Sequence, residues 1–145
     1  MTREWRGGEF VELTLPVRPR LTVADPRVDD ARGCIAVERG PLVYCAEQTD
    51  QKADLPDLVL TGTPRDADIL ELDGYALPTV QIDAAVRTDD APAAWPYRTL
   101  SPAEEGDPAD GGGREPATVT AIPYFAWANR EYGAMRLWLP HDAAH

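Results

Sequence analysis

Val80-Gln81-Ile82-Asp83-Ala84-Ala85-Val86-Arg87 is the stretch that decides the fold. Val80, Ile82, Ala84 and Val86 alternate with Gln81, Asp83, Ala85 and Arg87. A strand turns successive side chains to opposite faces, so this period of two marks a half-buried strand. The same period recurs on both sides. Val11, Leu13, Leu15 and Val17 alternate with Glu12, Thr14 and Pro16, and Met135, Leu137 and Leu139 alternate with Arg136 and Trp138. Further strands are predicted at Leu21–Ala24, Cys34–Glu38, Leu42–Ala46, Leu58–Leu60, Ile69–Leu72 and Thr118–Ala128. The 14 Pro and 11 Gly seldom leave the roughly ten residues that a helix needs. Short strands with turn signals between them predict an all-β fold, an antiparallel β-sandwich of two packed sheets. Its expected core holds Val11, Leu13, Leu15, Val37, Leu42, Tyr44, Val80, Ile82, Phe125, Leu137 and Leu139.

Two hairpins are predicted. Arg39-Gly40-Pro41 joins one pair of strands, and Asn129–Gly133 joins Thr118–Ala128 to Ala134–Leu139. If the first turns at Arg39-Gly40, facing residues have numbers that sum to 79, which sets Cys34 opposite Cys45. With no secretion signal, two buried thiols are expected there rather than a disulfide. One segment stands apart. Residues 89 to about 116 are rich in Pro, Gly and acid and include Gly111-Gly112-Gly113, so a long surface loop is expected, mobile in its second half. It is too short for a second domain, and residues 1–145 are read as one domain.

The chain carries 25 acids against 14 bases, a formal charge of −11. Such a surface repels phosphates, so neither nucleic acid nor an anionic membrane is an expected partner. All the bases but Lys52 are Arg, a skew that reads as compositional bias rather than chemistry. No basic stretch leads into an apolar run at the N-terminus, and no window approaches the ~20 apolar residues of a membrane span. A cytoplasmic location is the resulting expectation.

Residues for chemistry are sparse. Cys34 and Cys45 are the only cysteines, and His141 and His145 lie in the tail, without CxxC or HxxxH spacing. No metal or other cofactor is therefore expected in this chain. The single serine, Ser101, falls in the predicted loop, with no His in the strand framework to act as its base. Glu38, Glu47 and Asp83 sit in or beside predicted strands and are read as solvated strand faces rather than a catalytic carboxylate pair. Tyr124, Phe125, Trp127 and Trp138 cluster near the C-terminus, and Trp95 lies in the loop. Rings of this kind build a core or an interface to a neighbouring domain, or else stack on sugar rings.

Two longer stretches carry a family likeness. Glu38–Glu47, ERGPLVYCAE, and Ala121–Leu139, AIPYFAWANREYGAMRLWL, resemble the family 127 glycoside hydrolases, the β-L-arabinofuranosidases. The opening Arg3-Glu4-Trp5-Arg6-Gly7-Gly8-Glu9, then Val11–Pro16 and Ala24-Asp25-Pro26-Arg27-Val28, is similar too. The residues that carry the signature are Arg39, Gly40, Pro41, Tyr44, Cys45, Pro123, Tyr124, Trp127, Asn129 and Arg130. The resemblance implies a C-terminal β-sandwich region that in the family follows an (α/α)₆ catalytic barrel. That barrel holds a glutamate acid/base and a zinc-bound cysteine nucleophile in a three-cysteine-plus-glutamate site. None of those groups has a counterpart in this chain, so the resemblance implies a truncated or separately encoded tail, with zinc belonging to the missing barrel. Cys45 belongs to the signature strand and is not assigned as the nucleophile.

The expected function is a non-catalytic accessory module that packs on a catalytic barrel or on a second copy of itself. The alternative is a stand-alone carbohydrate-binding sandwich that uses Tyr124, Trp127, Trp138 and Trp95. A sandwich entered midway on its N-terminal side is expected to leave an edge or an apolar face uncovered.

Overall fold

The structure, a computed structural model, describes residues 4, 6–88 and 113–142. Trp95, Ser101, His145 and the predicted loop up to Gly112 lie outside the described residues. Among the described residues, nine strands form one antiparallel sheet. They are β1 (Pro19–Val23), β2 (Cys34–Arg39), β3 (Leu42–Glu47), β4 (Leu58–Leu60), β5 (Arg65–Leu72), β6 (Tyr75–Thr88), β7 (Gly113–Pro123), β8 (Met135–Arg136) and β9 (Trp138–Pro140). Single 3₁₀ turns, such as Tyr124–Ala126, are the only helical elements among the described residues.

The order along the sheet is β1-β2-β3-β7-β6-β4, with β5 paired to β6, β8 to β3 and β9 to β2. The sheet curls until its far ends meet, where Leu60 of β4 bridges to His141 just beyond β9. Inside the curl, Val80, Ile82 and Ala84 of β6 and Val119 and Ala121 of β7 pack with Ile35, Val37, Tyr44, Leu58, Leu60 and Leu139. The two halves of the curled sheet thus face each other across a shared core, as the layers of a sandwich do. Burying each large aliphatic side chain there contributes about 1.5–3 kcal/mol. A smaller cluster of Cys45, Leu77, Ile122 and Ala126, backed by Leu70, Leu72 and Met135, is separate from this core.

The alternation at Val80–Val86 is realised in β6, whose ladder with β7 runs from Val80↔Ala121 to Thr88↔Gly113. Because β6 offers a partner over that whole length, Gly113–Pro116 is strand, although its composition reads as loop.

Four expectations are corrected. The segment Val11–Val17 forms no strand, and Val11, Leu13 and Leu15 are 65%, 77% and 66% exposed. An alternating segment becomes a half-buried strand only when a neighbour supplies hydrogen bonds and a face, and no described strand pairs with it. Leu42 and Phe125, also placed in the core, are exposed, and Leu137 is half-buried. Leu42 sits beside the β2–β3 turn, and Phe125 lies in the 3₁₀ turn rather than in a strand.

The predicted hairpin across Asn129–Gly133 does not form. β7 stops at Pro123, whose ring removes a ladder donor, and β8 and β9 pair with β3 and β2. The first hairpin is present with its turn one residue further along, so each residue faces a partner two positions later than expected. Arg39 faces Leu42 across Gly40-Pro41, and Gly40 adopts φ +57°. The β2–β3 ladder ends at Val37↔Tyr44; beyond it Cys34 lies opposite Pro140 of β9 and Cys45 opposite Ile122 of β7, and both are free thiols. A further hairpin joins β5 to β6 through Asp73-Gly74, with φ +49° and +80° and Leu72 facing Tyr75. Asp-Gly with both residues at positive φ is the favoured two-residue turn between antiparallel strands.

Candidate functional site

The two signature stretches come together at the end of β3. Tyr44 faces Pro123 and Cys45 faces Ile122, so ERGPLVYCAE and AIPYFAWANR are neighbours in space. Tyr44 is buried, and its hydroxyl donates to the Pro78 carbonyl at 2.9 Å, which ties β3 to β6. Arg39 Nε donates to Asp66 at 2.9 Å, fastening the β2–β3 turn to β5.

After Pro123 the chain leaves the sheet in the loop Tyr124–Ala134, and a charge cluster holds it. Glu47, at the end of β3, is 4% exposed. Its Oε2 pairs with Arg130 Nη2, and its Oε1 accepts the Ala128 N–H at 2.8 Å. Arg130 also grips Asp50 with both terminal nitrogens, at 2.7 and 2.6 Å, in a bidentate pair. Hydrogen bonds to Asp50 first, and then to Glu47, push the Arg130 pKa up and keep the guanidinium charged. Ala128 sits at φ +61°, a left-handed conformation that non-glycine residues seldom adopt and that the Glu47 bond holds in place. Gln48 N–H donates to the Ala134 carbonyl at 2.9 Å and closes the far end of the loop. The Gln51 amide exchanges bonds of 2.8 and 3.1 Å with the Thr120 carbonyl and N–H, acting as a short extra rung on β7.

This clamp presents aromatic rings to the outside. Tyr124 and Trp127 stack nearly parallel, with centroids 6.1 Å apart and planes 10° apart. Phe125 is 61% exposed and Tyr75, on the β5–β6 turn, 70% exposed. Between them lies a hollow of about 410 Å³ lined by Leu72, Asp73, Tyr75, Leu77, Phe125, Ala126 and Asn129. The Asn129 amide is turned inward, donating to the Trp127 and Phe125 carbonyls at 3.3 and 3.5 Å. Trp138, in β9, is half-buried and lies outside the hollow's lining. The hollow's lining is mostly apolar and includes Tyr75 and Phe125, while the Tyr124–Trp127 stack lies outside it.

Among the described residues, the groups that could do chemistry are protonated or already paired. Cys45 is buried, and its pKa is pushed up to about 12 by burial and then by the negative charges of Glu47 and Asp50. A thiol so disposed stays protonated and is a poor nucleophile. The three strand carboxylates are not brought together: Glu38 pairs with Arg20, Asp83 with Arg65 at 2.7 Å, and Glu47 with Arg130. Among the described residues no three His, Cys, Asp or Glu lie close enough to share an ion. A larger hollow of about 920 Å³ over β6 and β7 is lined by Lys52, Asp83, Glu115, Thr118 and Thr120, with Asp50 at its rim already held by Arg130.

The sequence places Tyr124, Trp127, Asn129 and Arg130 in one stretch; it marks Glu47 as a solvated strand face, whereas the structure buries that carboxylate against Arg130, and it assigns no role to Asp50, Gln51 or Tyr75. An Asp-Gly turn between apolar residues was the available signal for Tyr75. The charge cluster leaves none, since Arg130 lies 80 and 83 residues from its two carboxylates.

Known proteins match this geometry as well as the sequence. Residues 19–140 match the family model described as the Glycoside hydrolase family 127 C-terminal domain. A non-reducing end beta-L-arabinofuranosidase of Bifidobacterium longum is 38% identical over 134 residues, covering 88% of this chain and 19% of that protein. The solved structure of a GH127 beta-arabinofuranosidase superposes with a TM-score of 0.64 at 31% identity, covering 86% of this chain and 17% of the other. A GH127 beta-L-arabinofuranosidase from Geobacillus stearothermophilus T6 gives a TM-score of 0.67 at 25% identity, over 87% of this chain and 18% of its own. The chain thus spans about a fifth of the length of these relatives. On sequence and fold together, the chain belongs to glycoside hydrolase family 127, as its C-terminal domain.

Proposed function

We propose that this chain is the non-catalytic accessory domain of a longer β-L-arabinofuranosidase-like glycoside hydrolase, and that it packs on the catalytic barrel. The observation that carries the reading is the set of exposed rings: Phe125 and the Tyr124–Trp127 stack on the loop that the Glu47–Arg130–Asp50 clamp holds, and Tyr75 of the β5–β6 turn, which lines the same hollow as Phe125. A domain that fixes apolar rings rigidly in water is prepared to bury them, because preorganisation lowers the entropy lost on docking. The hollow between Tyr75 and Phe125 accepts a partner side chain, and aromatic anchors of this type dominate binding energy at interfaces. Zinc chemistry and sugar cleavage are assigned to the barrel, with this domain supporting it.

The test is a graft in which residues 1–145 replace the matching C-terminal fifth of the Bifidobacterium longum arabinofuranosidase. Phe125→Asp and Tyr75→Asp should leave the melting temperature of the free chain within about 2 °C of the parent, since both positions are exposed there. In the graft the same changes should lower the melting temperature and the arabinofuranosidase activity together. Equal indifference in the free chain and the graft would remove the aromatic face from the interface.

A further inference from the structure

Strand β7 is paired along its length on one side only. From Gly113 to Ala121 it runs beside β6. On its other side β3 meets it only at Pro123 and Ile122, and then turns away to β8. Among the described residues no strand covers the rest of that edge. The Gln51 amide bonds the Thr120 N–H and C=O, so those two groups point away from β6. Backbone groups alternate sides along a strand, so Thr118 and Pro116 turn theirs the same way. Such an edge is a template on which another chain can add a strand. Space for one is present, because exposed Pro116 and Thr118 line the hollow of about 920 Å³ together with Lys52 and Ala53.

We infer that this edge is guarded: Gln51, Pro116 and two flanking charges keep β7 from adding a strand of a second copy of the chain. The guard stands apart from the aromatic face, whose docking it neither needs nor predicts.

Each guard acts at its own rung. At Thr120, Gln51 supplies the donor and the acceptor that a neighbouring strand would supply, so an incoming chain must displace two bonds. Gln51 Nε2 also donates to the Glu47 carbonyl at 2.9 Å, which anchors the plug to the end of β3. Pro116 has no N–H to offer, and proline is tolerated in sheets where no partner asks for one. Lys52, the only lysine of the chain, and Glu115 stand exposed at the same hollow. An added strand would have to take both charges out of water. Thr118 is left as a lone open rung between two blocked ones, and a single pair of bonds adds too little to hold a strand.

Removing the guards from a chain whose aromatic face is already silenced is the test. Phe125→Asp serves as the parent, sedimentation over a concentration series reads association, and hydrogen exchange locates it. Pro116→Val restores a donor in a residue suited to strands. It should tighten self-association roughly tenfold and slow the Thr118 amide as concentration rises. Adding Gln51→Ala should tighten association further, and make the Thr120 amide fast when dilute and slow when concentrated. If Gln51→Ala only lowers the melting temperature, with no gain in association over Pro116→Val alone, Gln51 is a structural tie and its place in the guard is overturned. Variants that stay monomeric at every concentration, or that associate while Thr118 exchanges freely, would overturn the inference as a whole.

Discussion

Half-buried Arg130 and buried Glu47, 83 residues apart in sequence, form an ion pair that fastens the aromatic loop to the end of β3. Removing one member leaves a carboxylate stranded in a nearly dry site, whereas removing both charges together does not. Arg130→Ala is therefore expected to cost about 3 kcal/mol, and Arg130→Met with Glu47→Gln clearly less. Urea unfolding of the three chains checks this. A single variant within about 1 kcal/mol of the parent would show that the clamp does not hold the loop.

Cys45 links stability to alkaline pH. Its folded pKa, about 12, lies above the ordinary value of 9.0. Between those values the unfolded chain loses the thiol proton while the folded chain keeps it. The contribution is thus present below pH 9 and is lost as pH rises toward 12. The urea midpoint should fall from pH 9 upward, and Cys45→Ala should flatten that fall. A thiol reagent at pH 8 should label half-buried Cys34 and spare Cys45 in the folded chain. Equal labelling would contradict the buried, protonated thiol.

Gly40 holds φ +57° in the two-residue turn that sets the β2–β3 register. An alanine there pays the left-handed penalty of about 1–2 kcal/mol, and its Cβ also displaces Val17. Gly40→Ala is expected to lower the melting temperature by several degrees, measured by circular dichroism. An unchanged melting temperature would mean that the turn tolerates another conformation.

Much of this fold was legible in the sequence, and the failures share a cause. Alternation located β6, and a Gly-Pro break between apolar runs located the β2–β3 hairpin. Both signals are local. Whether the turn closes on Arg39-Gly40 or on Gly40-Pro41 is a one-residue question of backbone geometry, and the ladder it sets ends at Val37↔Tyr44, beyond which Cys34 and Cys45 face other strands. Val11–Val17 has a strand's pattern, but a pattern does not name its partner. Phe125 reads as core because apolarity and position resemble a strand end, and only the Glu47–Arg130 bond shows that its loop turns outward. That bond joins two residues whose separation carries no periodic signal.

The free chain exposes Phe125, Tyr75 and the Tyr124–Trp127 stack, so it is expected to self-associate weakly through that face. Its charge of −11 opposes association. Salt screens the repulsion and leaves apolar burial intact, so association should tighten as salt rises. Light scattering over a salt and concentration series reads this out, and Phe125→Asp should abolish it. A monodisperse monomer under every condition would show that the face is not sticky enough to dock.

Arabinofuranosidase turnover tests the central claim most directly. The purified 145-residue chain and the Bifidobacterium longum graft carrying it are assayed side by side on an aryl β-L-arabinofuranoside, with zinc and reductant present. The account predicts no turnover by the chain alone and activity in the graft within about tenfold of the parent enzyme. Zinc-dependent turnover by the chain alone that disappears on Cys45→Ser, or a folded graft without activity, would contradict it.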